Sequence, residues 1–190
     1  MPTCGAGRRG PTLNNSRTRS VVFCGLSVAL MAVSAWITVP FGPVPFTLQT
    51  FVMVFVLLAL QPREALASIG IYIAMGALGL PMFSAMRGGI GVLAGPTGGF
   101  IWGFLLGAVV ALAYLRVAPG SPKERPLVHD AVAAVIFLLV CYVCGWVQLM
   151  LVANMGPAAA FLAAIAPFVI IDALKLAAAI AVARAVRAAI

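Results

Sequence analysis

The chain has 190 residues, of which 64% are apolar and only 8% charged, with a net charge of +8 and a mean hydropathy of +1.15. Soluble domains are about 45–50% apolar and about 25% charged. Twelve basic and four acidic side chains cannot cover a soluble surface. This excludes a soluble globular domain, a disordered chain and a secreted disulfide scaffold, and points to an all-α polytopic membrane protein.

Residues 1–19 read as a basic, disordered tail that carries Arg8, Arg9, Arg17 and Arg19. The first apolar run covers 20–39. A basic stretch before an apolar run also fits a signal peptide, but the runs that follow make it a first transmembrane helix. Three prolines and a glycine in 40–45 break it. A short second span covers 46–60 and is entered by Thr47, Gln49 and Thr50. After a tight turn at 61–64, a third span covers 65–80. Residues 81–96 form a glycine-rich loop with one charge, Arg87. The fourth span is 97–115, the polar loop 116–130, and the fifth span 131–152. A break at 154–156 precedes a short helix at 158–166, expected at the membrane interface. The sixth span is 167–186, with Pro167 in its first turn.

Lys and Arg counts give the orientation. With the N-terminus inside, the cytoplasmic segments hold ten basic residues and the outer segments only Arg87. Both termini are therefore expected in the cytoplasm, with an even number of spans. The same bias accounts for the positive charge without nucleic acid, since no aromatic-and-basic stripe accompanies it. Residues 20–187 form a six-helix membrane domain on this reading.

Several chemistries are poorly supplied. No phosphate-cradling G-x-x-x-x-G-K-[ST] occurs, so ATP hydrolysis is not expected of this chain. The single histidine, His129, sits at the edge of the fifth span, away from any candidate nucleophile, and a metal site would need more ligands. Cys141 and Cys144 lie one helical turn apart in an apolar run and read as small buried residues. No catalytic residue, metal or resident cofactor is expected.

The polar groups inside apolar runs are the informative ones, because charges in hydrocarbon are costly. Asp172 and Lys175 are three residues apart and share a helix face near the outer end of the sixth span. They are either a mutually neutralising ion pair or the lining of an outward pocket. Arg87, alone among glycines and small residues, is either a solvated loop residue or a contact for an anionic ligand. Gln49, one step into the mouth of the second span, offers its amide to a ligand, and Ser84 and the polar tip of Tyr72 are weaker hydrogen-bonding candidates. Trp36 offers an apolar wall with a polar tip, as do Trp102 and Trp146. Gly25 and Ala29, four apart on the first span, permit close approach of another helix, within the bundle or from another subunit.

The run from Pro40 to Thr50 (PFGPVPFTLQT), then Gly79 to Ser84 (GLPMFS), Arg87-Gly88-Gly89 and Gly95 to Phe100 (GPTGGF) resemble the BioY family, the biotin-binding S components of energy-coupling-factor (ECF) transporters. The resemblance covers most of 20–187 and is densest in 38–107 and 167–175. It implies the six-helix S-component fold in a bacterial inner membrane. It also implies a biotin pocket near the outer face, closed by the first and third loops. Asp172, Lys175 and Arg87 match the family's polar contacts. Gly25 and Ala29 loosely match its contact with a transmembrane coupling subunit, which works with two cytoplasmic ABC ATPases that use the ATP. Two positions depart from the family: Ile171 stands where a glycine usually precedes the aspartate, and Gln61-Pro62-Arg63-Glu64-Ala65 replaces G-P-[RK]-x-G. An S component for another vitamin, a structural membrane protein and an intramembrane enzyme are the competing readings.

Overall fold

The computed structural model describes residues 12–40, 42–119 and 125–189. Arg8, Arg9 and Lys123 of the charge count lie outside these. The fold is helical apart from a two-stranded hairpin. Helix α1 (Thr12–Trp36) is followed by strands β1 (Thr38–Val39) and β2 (Phe46–Thr47), then α2 (Gln49–Ala59) and α3 (Pro62–Ala77). A single 3₁₀ turn (Ser84–Met86) and a short α4 (Ile90–Ala94) precede α5 (Gly98–Val117) and α6 (Leu127–Ala153). The chain ends with α7 (Pro157–Ala164) and α8 (Val169–Ala189).

The helix boundaries follow local chemistry. Pro62 opens α3 behind a reciprocal capping box between Gln61 and Glu64. Asn154 ends α6 in the left-handed conformation, at φ 49°. Pro167 sits in the turn between α7 and α8 rather than in the first turn of the last helix. α1 begins at Thr12, so Arg17 and Arg19 ride on a helix rather than in a disordered tail.

Among the described residues, three helical stretches are long and apolar enough to cross a membrane: 17–36, 98–117 and 127–153. The α7–α8 pair, bent by 47°, makes a fourth if it crosses as one span. α2 has only 11 residues and α3 only 16, about 16 and 24 Å at 1.5 Å per residue, against a hydrocarbon core of about 30 Å. The six runs expected from the sequence are therefore present as helices, but length and composition establish three or four as spans. Exposed large apolar side chains, among them Val22, Leu26, Leu139, Leu151, Ile170 and Leu174, give the bundle the outer face of a membrane protein.

The tightest packing joins α5 and α6, and glycine makes it possible. A Cβ at Gly99 would lie 2.3 Å from the Cys144 carbonyl oxygen, one at Gly103 2.7 Å from the Cys141 Cα, and one at Gly107 2.9 Å from the Phe137 carbonyl oxygen. The two helices thus run antiparallel with backbones in contact along two turns. Gly103→Ala is expected to lower stability by about 1–3 kcal/mol, because the facing group is backbone. Gly25→Ala, with nothing within 4 Å of the added carbon, is expected to cause no loss. Thermal unfolding of the two variants in detergent checks the contrast.

The hairpin and the glycine-rich loop cover one end of the bundle. β1 and β2 pair antiparallel, Thr38 with Thr47 and Val39 with Phe46. The second loop turns through Gly79 and Gly89 at positive φ, and Gly88 is so close to the Leu80 carbonyl that a Cβ would lie 2.1 Å from it. The two loops are tied together. Trp36 Nε1 donates to the Pro81 carbonyl at 2.7 Å, and the Ala85 amide donates to Thr38 Oγ1 at 3.3 Å.

Candidate functional site

Under these loops lies a cavity of about 80 Å³. Its walls come from both ends of the sequence. The hairpin and the start of α2 contribute Val44, Pro45, Thr47, Gln49 and Thr50, and α8 contributes Asp172 and Lys175. The remaining walls are mostly apolar and aromatic: Phe83, Phe100, Ile101, Phe104, Leu138 and Phe168. A few polar groups converging in an apolar enclosure are the usual design of a small-molecule site.

Asp172 and Lys175 are 4% and 8% exposed. Lys175 Nζ donates to Asp172 Oδ1 at 2.8 Å and to the Thr47 carbonyl at 2.7 Å, and it lies 3.9 Å from the Phe46 ring centroid. The ammonium therefore connects α8 to the hairpin through a carboxylate, a backbone dipole and an aromatic face. The second carboxylate oxygen, Asp172 Oδ2, accepts a hydrogen bond from the Tyr142 hydroxyl at 2.7 Å. The carboxylate is thus held from two sides, as burial of a charge demands.

The other expected site residues divide. Gln49 and Ser84 line the cavity. Tyr72 does not: it is fully buried behind Gln49, accepts from Gln49 Nε2 at 2.6 Å, and donates to the Met82 carbonyl at 2.7 Å. Its role is to fix the Gln49 amide. Arg87 is exposed and outside the lining, with Nε 3.3 Å from the Ser84 carbonyl and Nη2 3.5 Å from Ser84 Oγ. Trp36 is 40% exposed and also outside the lining, with its indole N–H spent on the loop tie to Pro81. Trp146 makes a similar tie to the Pro157 carbonyl at 3.0 Å. Gly25 and Ala29 are exposed on α1, a helix that contributes no residue to the cavity lining.

The sequence reading missed Tyr142, Thr97, Phe100 and Cys141, all of which line the cavity. It also missed Gln148, whose Nε2 donates to the carbonyls of Leu93 and Gly95 at 2.8 Å each and so fastens the loop that leads into α5. The one available signal was a polar tip within a long apolar run, which Tyr142 and Gln148 share with many core residues. Among the described residues, no group of three or more His, Cys, Asp or Glu comes together as a metal site.

The BioY family model matches residues 9–190. Over 92 residues the chain is 45% identical to the biotin transporter BioY of Thermotoga maritima, 48% of this chain and 54% of that protein, so the alignment spans about half of that relative's length. It is 37% identical over 167 residues to the probable biotin transporter BioY of Pyrococcus horikoshii, 88% of this chain and 95% of that one. Its fold is similar to a crystal structure of the S-component for biotin from an ECF-type ABC transporter, with a TM-score of 0.81, 19% identity, and coverage of 93% of this chain and 95% of that chain. A family match over nearly the whole sequence, on a fold with this end cavity, establishes that the chain belongs to the BioY family.

Proposed function

We propose that this chain captures biotin in the cavity and takes it across the membrane as the substrate-binding subunit of an ECF-type ABC transporter. The observation that carries this reading is the buried group Asp172, Lys175 and Tyr142 at the polar end of an apolar cavity, in a chain of the BioY family. A carboxylate offers about four lone-pair positions, and the two bonds Asp172 accepts leave positions for ligand N–H groups such as those of a ureido ring. Lys175 supplies counter-charge, and Gln49 and Ser84 supply further hydrogen bonds. Arg87, near the entrance loop, meets a carboxylate end. The aromatic walls take the ring system.

The membrane arrangement in this reading is six crossings, by α1, α2, α3, α5, α6 and the α7–α8 pair, with both termini in the cytoplasm of a bacterial inner membrane. The ten-to-one distribution of basic residues supports it. The short α2 and α3 complete their crossings with loop backbone that packs against protein, where irregular structure is tolerated. The N-terminal end of α1, with Arg17 and Arg19, lies on the cytoplasmic side. The partners are a transmembrane coupling subunit and two cytoplasmic ABC ATPases, which supply the ATP chemistry for which this chain has no motif. Gly25 and Ala29 form the contact with the coupling subunit, a role that their exposure on α1 supports.

Equilibrium binding of labelled biotin to the purified chain in detergent tests the reading. Saturable binding is expected. No binding by folded protein overturns it, and binding of a different vitamin would make the chain an S component of other specificity. Within the site, Tyr142→Phe is expected to weaken biotin by about ten- to a hundred-fold, since a hydrogen bond to a charged group contributes about 1.5–3 kcal/mol. The fold should be unchanged, and titration calorimetry reads the difference.

A further inference from the structure

We propose that the end of the bundle remote from the cavity binds the phosphate of an anionic phospholipid headgroup, through Arg184 and Arg125. Arg184 follows Asp172 by twelve residues on α8, about 18 Å at 1.5 Å per residue. There the last turns of α8 meet the start of α6, and the guanidiniums of Arg125, Arg184 and Arg187 converge on the single carboxylate of Asp130. Among the described residues, Asp130 is the carboxylate that all three guanidiniums share.

Two of these arginines have donors to offer. Arg125 is 9% exposed, and its Nε is buried with no hydrogen-bond partner among the described residues. A buried donor without an acceptor is costly, so the cluster as built is short of oxygen acceptors. Arg184 spends Nη1 on the Arg125 carbonyl at 2.9 Å and on Asp130 at 3.1 Å, while its side chain stays 39% exposed. A guanidinium has five N–H donors in a planar fork that suits phosphate oxygens. The surroundings favour a lipid as the source of that phosphate. Leu127, Val128 and Val182 beside the cluster are 56%, 66% and 42% exposed, so the arginines border the apolar belt, at the level where headgroups lie.

The test is native mass spectrometry of the full chain in detergent, titrated with dioctanoyl phosphatidylglycerol, with dioctanoyl phosphatidylcholine, or with inorganic phosphate. One phosphatidylglycerol is expected to be retained in preference to phosphatidylcholine. Arg184→Gln is expected to weaken it about ten-fold, the loss of a charge-assisted hydrogen bond. Arg63→Gln removes the same charge from an exposed position in the first turn of α3, and should change retention by less than about two-fold. Arg184→Lys keeps the charge without the fork and should also weaken binding, which serves if the glutamine variant does not fold. Equal losses in Arg63→Gln and Arg184→Gln would reduce the effect to diffuse attraction and overturn the site. Equal retention of the two lipids, retention unchanged by Arg184→Lys, or binding of phosphate without phosphatidylglycerol overturns the lipid assignment.

Discussion

Asp172→Asn is expected to abolish biotin binding at any practical concentration, and Lys175→Met to do nearly the same. Each single change leaves a buried polar partner without its counter-charge, which costs about 2–5 kcal/mol or more at a binding site. Each should also destabilise the protein. Asp172→Asn leaves the Lys175 ammonium among neutral groups such as the Thr47 carbonyl and the Phe46 ring, without a counter-charge, and Lys175→Met leaves a carboxylate whose remaining described side-chain partner is Tyr142. The informative variant is the double, Asp172→Asn/Lys175→Met. Replacing a buried ion pair by groups of similar volume without charge is often neutral or stabilising, so the double variant should melt close to wild type while still failing to bind biotin. That pattern separates a ligand site from a structural ion pair. A double variant, or either single variant, that keeps wild-type affinity would remove Asp172 and Lys175 from the binding mechanism.

Much of this site was legible because it violates the pattern around it. An aspartate and a lysine in an apolar run stand out by cost alone, and their spacing of three puts them on one face of whichever helix they occupy. Gln49 and Ser84 were legible for a similar reason, as polar groups within loops rich in proline and glycine. Tyr142 was not, since its ring is ordinary in an apolar helix and its partner Asp172 is 30 residues away. Trp36 and Arg87 pose the opposite problem. Their chemistry suits a ligand, but in the fold Trp36 donates to the Pro81 carbonyl and Arg87 lies against Ser84, both outside the cavity lining, an arrangement set by the backbone path of the second loop that no spacing in the sequence reveals. The span count met a different difficulty. Hydropathy marked six apolar runs, but the turns that close α2 and α3 shorten them to 11 and 16 residues. Likewise Gly99, Gly103 and Gly107 carry a four-residue spacing that permits close packing. Only the fold assigns α6 as the helix they meet.

Asp130 was read from the sequence as the end of a polar loop, yet it lies in the first turn of α6 with no exposed surface. Asp130→Asn is expected to be the most destabilising polar substitution in the protein. The carboxylate accepts from Arg187 Nη1 at 3.3 Å and from Nη2 in a fork-to-fork pair. It also accepts from Arg184 at 3.1 Å and lies 3.6 Å from Arg125. Asparagine preserves the shape but removes the negative charge that these ion pairs share, so the guanidiniums lose their common counter-charge. Breaking a buried pair costs about 3–5 kcal/mol, a large part of a typical total stability of about 5–15 kcal/mol. The melting temperature in detergent should fall accordingly. Removing one cation as well, in Asp130→Asn/Arg187→Met, should recover part of the loss, because it relieves repulsion that the single change creates. The cavity lies at the other end of α8, so the fraction of Asp130→Asn that remains folded should bind biotin with wild-type affinity. A stable Asp130→Asn would mean that water or another anion already neutralises the arginines. A folded variant with weakened biotin affinity would mean that the two ends of α8 are energetically coupled.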